Sequence, residues 1–408
     1  MRTILDFLPK KEICMNILVC NAGSTSLKFK LYDMPSEAVL AECRIERVGD
    51  GNGGLFSYKN EQKGIAVTEE QKVIPDYEAG IRAFLALLTS REQGVIGGHS
   101  DIYAVGYKTV LSKGHYGVHV IDDAVLAGME DYLVVAPAHN TFYLQAIRTF
   151  QKIMPATPMV GVFETAYHQT MPKEAYLYST PYEWYEKYGL RRYGYHGASH
   201  SYVADCLTKR LGYEYKAVSC HLGGSGSLTA IENGKSVDTS FGFSLQVGLP
   251  QMSRAGDIDP YFIFYLMKEE GFTIDQVEQD LQKRSGILGI SGVSNDLRDV
   301  EKAAPQNERA QLAIDIYCRE IVRYIGGYAA IMGGLDAIAF TGGIGENSAT
   351  VRGKVLSHFG YLGLRLAGRE ASRGEVSTLT AEDSPLKVFV IPANEELGIA
   401  RQVAAMRL

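Results

Sequence analysis

The chain has 408 residues, too many for one small hydrophobic core, so two domains are expected. With 46% hydrophobic and 22% charged residues it has a soluble globular balance, and no apolar run is long enough to cross a membrane. A formal net charge of -6 supplies no basic field for nucleic acid or an anionic membrane surface.

Residues 1–14 hold only the short run ILDFL before a proline and Lys-Lys-Glu, which is no secretory signal. They are expected to be a disordered extension ahead of a folded part that starts at Met15. Residues 16–20 (NILVC) read as an apolar strand that ends in Asn21-Ala22-Gly23-Ser24-Thr25-Ser26. Residues 27–33 alternate with period two, as a half-buried strand does. An amphipathic helix is expected over 75–90, a strand emerging at Lys108 over 102–111, and a helix over 122–133. Residues 136–140 (APAHN) read as a turn that starts a helix over 141–153. Residues 159–164 form an apolar strand with Glu164 at its carboxyl end, where open α/β sheets place ligands. An aromatic-rich segment follows over 167–195, and Ser199 is expected to cap a helix running to 211.

Residues 219–260 concentrate the chemistry. A strand runs into His221 and the turn Leu222-Gly223-Gly224-Ser225-Gly226, a second strand follows, and Asn233-Gly234 supplies a type I′ hairpin turn. Glycines let amide N–H groups approach a ligand with no Cβ in the way. Arg254, Asp257 and Asp259 add one fixed cation and two carboxylates, a set that suits phosphate and metal-phosphate chemistry. The same residues also read as an ordinary hairpin with a polar loop, with His196 and His221 as hydrogen-bonded core histidines. Further on, a long amphipathic helix is expected over 310–332 and a buried strand over 337–340. The turn 341–347 (TGGIGEN) then opens a helix, an arrangement that binds anions. A last strand over 387–391 runs into Asn394-Glu395-Glu396 and a terminal helix. The six cysteines lie far apart and read as reduced, buried thiols of a cytoplasmic protein.

CNAGSTSL at Cys20 and CHLGGSGSL at Cys220 share one plan: strand, cysteine, Gly-Ser turn, then Ser-Leu opening a second strand. Two such units half a chain apart suggest a duplicated domain. Neither the Walker phosphate loop nor a dinucleotide fingerprint is present, so a bound nucleotide must be held by these hairpins and Gly-rich helix starts.

In order and spacing, NAGSTSLKFKLYD, APAHN, VFETAYHQTMP, RRYGYHGASHSYVA, CHLGG, DTSFGF, RAGDIDP, SGILGISGVSNDLRD, FTGGIGENS and NEELGIAR resemble the acetate kinase family. The resemblance runs from Met15 to the carboxyl terminus. It implies an α/β fold of two duplicated actin-like, ribonuclease H-like domains with a nucleotide cleft between them. The expected spans are 15–168 plus 397–408 and 169–396. It also implies reversible transfer of phosphate between ATP, with Mg²⁺, and a short-chain carboxylate. By resemblance, Arg254, His196, Glu164, Lys108 and His139 are the catalytic set. Asn21, Ser24, Ser26, Lys28, His221, Gly223 and Gly224 face the phosphates, and Asn21 and Glu395 hold the metal. Asp296, Arg298, Gly342, Gly343, Ile344 and Asn347 form the adenosine pocket, and Val110, Ala138, Tyr195 and Leu245 the acyl pocket. A homodimer is implied, with the aromatic-rich segment a candidate surface. Asp257 and Asp259 are expected to cap a helix and brace Arg254, His168 and His200 to be structural, and Arg191-Arg192 to form an interdomain salt-bridge pair or a ligand contact.

Departures from the family pattern fall at the chemistry. Lys108 stands where the family has a substrate-gripping arginine, which keeps charge but loses the bidentate fork. Glu164 replaces an aspartate, and Gly224 an asparagine. Ala138, Tyr195 and Leu245 replace leucine, phenylalanine and proline, which points to a carboxylate other than, or larger than, acetate. The alternative reading is a catalytically weakened nucleotide-binding homologue that acts as a sensor or partner protein.

Overall fold

Strand β1 (Asn16–Gly23) is buried on both faces from Ile17 to Cys20, which explains its continuous apolar run. In this computed structural model, residues 15–34, 36–133 and 137–408 are described, the side chains of 67–69 and 137–139 excepted. β1 pairs antiparallel with β2 (Ser26–Asp33) and parallel with β6 (Ile102–Thr109). β3 (Ala38–Glu46), β4 (Gly54–Asn60) and β5 (Ile65–Lys72) extend the antiparallel side. On the other side β8 (Met159–Phe163) is parallel to β6, and β7 (Val118–Val120) is antiparallel to β8. The sheet order is β5-β4-β3-β2-β1-β6-β8-β7. Phe29 of β2 stacks on Phe84 at 4.6 Å and meets Phe150 edge-on, which seats the Tyr77–Leu88 and Pro137–Ile153 helices against the sheet. The terminal helix Glu395–Ala405 lies against β6 at Gly106, where a Cβ would come within 2.9 Å of Val403 and 3.1 Å of Ile399. Glycine in mid-strand is what admits that helix.

A second sheet repeats the plan. β9 (Lys216–Leu222) pairs antiparallel with β10 (Gly226–Glu232), which pairs with β11 (Lys235–Thr239). β12 (Ala337–Thr341) is parallel to β9 and to β14 (Lys387–Val390), and β13 (Ser377–Thr378) closes the edge. β3-β2-β1-β6-β8 and β11-β10-β9-β12-β14 therefore share order and strand sense. This is the duplication expected from the two cysteine-hairpin motifs, in the actin-like plan that the family resemblance implies. Cys20 and Cys220 occupy the same place in each, and burial pushes both thiols far above the ordinary range. The chain divides into two compact units, one of the described residues up to Phe163 together with Glu396–Leu408, the other Glu164–Glu395.

The expected I′ turn is present, with φ of 53° at Asn233 and 77° at Gly234. Two local expectations need correction. Pro137 already belongs to the Pro137–Ile153 helix, so residues 137–140 are its first turn rather than a loop, and proline suits that position because its missing N–H has no partner to lose. The Gly197–Leu211 helix starts before Ser199, with His196 at its N-cap in the left-handed region (φ 58°, ψ 28°).

Candidate active site

In the first unit, β1 and β2 meet in a two-residue turn at Ser24 and Thr25, both exposed, with Ser26 half-buried. Asn21 donates from Nδ2 to Glu396 Oε1 (3.1 Å) and accepts from the Tyr143 hydroxyl on Oδ1 (3.3 Å). Its amide is thereby oriented, with one N–H and one lone pair left for a ligand. Lys30 Nζ stands 4.0 Å from Glu396 Oε2. Lys28, opposite Asn21 in register, is exposed, and its side chain makes no hydrogen bond or ion pair among the described residues. Lys108 is half-buried near the end of β6, and Val110 is buried just beyond it. The side chains of Ala138 and His139 lie outside the described residues.

The second unit holds a dense polar layer. His196 Nδ1 meets Ser227 Oγ at 2.9 Å, and its ring lies 4.2 Å from that of His221 and 5.2 Å from Phe241. His221 Nδ1 is 2.8 Å from Ser199 Oγ and 3.9 Å from Glu395 Oε1. Ser199 therefore serves His221 rather than capping its helix. His200 and His168 sit behind this pair, both fully buried, as their structural role predicts. Burial lowers His168 to about 4. Glu164 is 4% exposed, and its carbonyl accepts the Gly197 N–H at 2.9 Å. A Cβ on Gly197 would sit 2.2 Å from that carbonyl, so the helix can start there only with glycine. In the loop between β9 and β10, the Gly223 N–H bonds to Ser225 O, while Gly224 is exposed with no neighbour where a Cβ would be.

Arg254 Nη1 donates to Gln251 Oε1 (2.8 Å), Leu245 O (3.2 Å) and Ser225 Oγ (3.3 Å). Its Nε and Nη2 make no hydrogen bond among the described residues, so the edge that grips a carboxylate or phosphate stays available. Burial lowers the guanidinium somewhat, which leaves it charged at any working pH. Asp257 does not brace it. That carboxylate accepts from the Gly248 N–H, Arg323 and Tyr324, whereas Asp259 accepts from the Tyr261 N–H at the next helix start. Leu245 is half-buried and contributes its carbonyl to Arg254. The buried Tyr195 donates its hydroxyl to Phe243 O (2.6 Å). Arg191 and Arg192 form no ion pair within hydrogen-bonding reach among the described residues. Arg191 stacks on Tyr176 at 3.6 Å, and Arg192 donates to Thr239 O.

The expected adenosine segments are tied together by Ser348, which follows Asn347 and donates to Glu301 (2.5 Å) in the Leu297–Ala303 helix. Asp296 caps that helix and pairs with Arg298, which holds the carboxyl at about 2. Gly342 has φ of 79°, and a Cβ there would meet Leu222 O at 2.7 Å. The β12 turn thus packs directly on the second hairpin, and Thr341 is in register with His221. Gly343 is exposed, Ile344 half-buried, and Asn347 Nδ2 donates to Gly343 O. Glu346 Oε1 accepts the Ala393 N–H (2.9 Å), which fixes the approach to Asn394-Glu395. Sequence reasoning missed Ser199, Ser219, Ser227, Gln251, Glu346, Glu396 and Tyr143. For two of the serines a signal existed: Ser219 and Ser227 sit next to apolar residues on the strands that flank the Leu222–Gly226 turn.

Among the described residues no group of three metal-ligating side chains stands ready for an ion. Magnesium bound with nucleotides asks for less, namely one or two carboxylates beside phosphate oxygens and water, and the half-buried Glu395 fits that pattern. No helix among the described residues is long and apolar enough to cross a membrane.

The sequence model of the Acetokinase family matches residues 16–401. Acetate kinase of Clostridium novyi (strain NT) is 45% identical over 393 residues, 95% of this chain and 97% of that protein. The crystal structure of Porphyromonas gingivalis acetate kinase superposes with a TM-score of 0.86 at 36% identity, over 97% of this chain and 100% of that one. A propionate kinase from Francisella tularensis gives 0.84 at 32% identity, over 95% and 98%.

Proposed function

The chain belongs to the acetokinase family, and from that premise we propose that it transfers the γ-phosphoryl group of ATP to a short-chain carboxylate and back. A carboxylate oxygen attacks the γ-phosphorus in line, the bond to the bridging oxygen breaks, and an acyl phosphate and ADP result. Such transfer asks the protein for alignment and charge neutralisation rather than covalent chemistry. The observation that carries the reading is Arg254, whose Nη1 is pinned by three acceptors while its other edge stays open for an anion. His196 and His221 act as hydrogen-bond donors to phosphate oxygens, and Lys108 supplies a further cation. The oriented amide of Asn21 contacts phosphate or metal. Mg²⁺, held through Glu395 and Asn21, would supply charge neutralisation on the phosphates. Asp296, Arg298 and the Gly342–Asn347 turn are assigned to adenosine.

The Tyr195 hydroxyl is committed to Phe243 O, which favours an apolar acyl group over a hydroxylated one. Hydroxamate trapping across acids from acetate to hydroxylated C4 compounds tests this. We expect turnover of the unsubstituted acids and poor turnover of the hydroxylated ones. No acyl phosphate from any acid, with ATP still bound, would favour the sensor reading instead. Lys108→Arg should raise acetate turnover if the lysine stands in for the family's arginine.

A cytoplasmic homodimer completes the reading. The five described cysteines are all reduced and buried. The Tyr261–Glu269 helix buries none of its residues and leaves Tyr261, Phe264 and Tyr265 between 49% and 76% exposed, the kind of aromatic face that subunits cover. Sedimentation equilibrium of Phe264→Glu beside the unaltered protein checks it.

A further inference from the structure

Four histidines and four serines of the second unit form a buried set in which each ring is used in the same way. Nδ1 of His168, His196, His200 and His221 meets Oγ of Ser236, Ser227, Ser219 and Ser199, at 2.9, 2.9, 2.8 and 2.8 Å. The four serines are at most 1% exposed. A neutral ring gives a proton at one nitrogen and takes one at the other, so the tautomers follow from counting protons.

His168 Nε2 faces the Tyr195 carbonyl at 2.9 Å. A carbonyl only accepts, so Nε2 carries the proton and Ser236 donates to Nδ1. Among the described residues, the hydroxyls of Ser219 and Ser199 have no other acceptor than the ring each one faces. If those rings donated instead, each hydroxyl proton would be buried without a bond, which native structures avoid. Both serines therefore donate to Nδ1. For His200 this puts the proton on Nε2, 2.8 Å from Ser227 Oγ, where it donates. Ser227 then gives its own proton to His196 Nδ1. Burial, reinforced by His168 and His221, holds His200 well below the ordinary imidazole range, so that ring has a single proton to place.

We propose that these serines are a tautomer lock, donating to Nδ1 of His196 and His221 so that each ring presents an Nε2–H, with Ser227 and Ser199 as positioning residues of the phosphoryl-transfer reaction. The catalytic part rests on the kinase reading above. A transferring phosphoryl group presents only acceptor oxygens, so a ring in the other tautomer would aim a lone pair at negative charge. Charging His196 would need Nδ1 to donate to Ser227. That would reverse Ser227 and His200 in turn and strand the Ser219 proton. The groups facing the pair include, among the described residues, Ser227, Ser199, His200, Phe241 and, 3.9 Å from His221 Nδ1, the Glu395 carboxylate.

The test is nitrogen-15 NMR of the full chain with labelled histidine at neutral pH. Peaks are assigned through His→Gln variants, and His168 serves as the internal standard. His196 and His221 should match His168 as Nε2–H tautomers. An Nδ1–H, averaged or doubly protonated His196 overturns the lock. In kinetics, Ser227→Ala should lower kcat at least about tenfold with KM for ATP and carboxylate within about twofold, since a misdirected catalytic histidine can cost up to about 10⁴-fold. Ser227→Thr, which keeps the hydroxyl, should recover most of the loss. An unchanged kcat in Ser227→Ala overturns the positioning role. If that variant does not fold, the spectra of the unaltered protein still decide the lock. A chain that binds ATP but phosphorylates no acid would overturn the kinase reading, while the spectra would judge the tautomers separately.

Discussion

The two hairpins at Cys20 and Cys220 are built on one plan and supported in opposite ways. In the first, the working side chain is an amide, steered from outside the hairpin by Glu396 and Tyr143, and the turn itself is exposed. In the second, His221 stands in the place of Asn21 and is backed by Ser199 of the Gly197–Leu211 helix and by the ring of His196 at that helix's N-cap, itself held by Ser227 of β10. A duplicated backbone therefore does not duplicate its chemistry. What each copy can do depends on the layer behind the strand, and among the described residues the second copy carries a buried one of serines and histidines.

Disabling the second copy should cost most. Arg254→Gln, which removes the anion-gripping fork beside this hairpin, should lower kcat/KM by about 10²–10³, as loss of one aligned transition-state donor does. Asn21→Ala should cost clearly less in steady-state kinetics, and equal losses would erase the asymmetry. The buried layer also makes the second copy acid-sensitive. His168 is held neutral down to about 4, against about 6.5 in an unfolded chain. The unfolded state thus binds more protons between those values, and stability falls as pH drops through that window, by about 3 kcal/mol for this group alone. Denaturant melts from pH 7 to 4 should show that slope, and His168→Gln should flatten it.

Smaller effects test the join between the β12 turn and the second hairpin. Gly342→Ala forces a side chain into a left-handed position against Leu222 O and should destabilise by about 1–3 kcal/mol in thermal melts. Gly224→Asn, which restores the family's residue, should be nearly neutral, within about 0.5 kcal/mol, because the backbone there is unstrained and a Cβ meets nothing. A large loss would mean that the glycine is structurally required.

Much of this was legible in sequence because it is local. Period-two alternation marks β2, Asn233-Gly234 marks the turn between β10 and β11, and the paired cysteine motifs mark the duplication that the strand order bears out. Partners distant in sequence were not legible. Glu396 steers an asparagine 375 residues away, and Ser227 meets His196 across 31 residues. Asp257 looked like the brace for Arg254 because it is close in sequence. The actual braces are a carbonyl, a glutamine and a serine, which no charge pattern advertises.

The glycine in β6 that admits the terminal helix has a consequence for synthesis. The unit begun by β1 takes back residues 396–408 against that strand, so it stays incomplete until the whole of Glu164–Glu395 has been made. At about 5–20 residues per second that is a delay of roughly tens of seconds, during which Gly106 and its apolar neighbours wait on the ribosome without their cover. The half translated first is the half finished last.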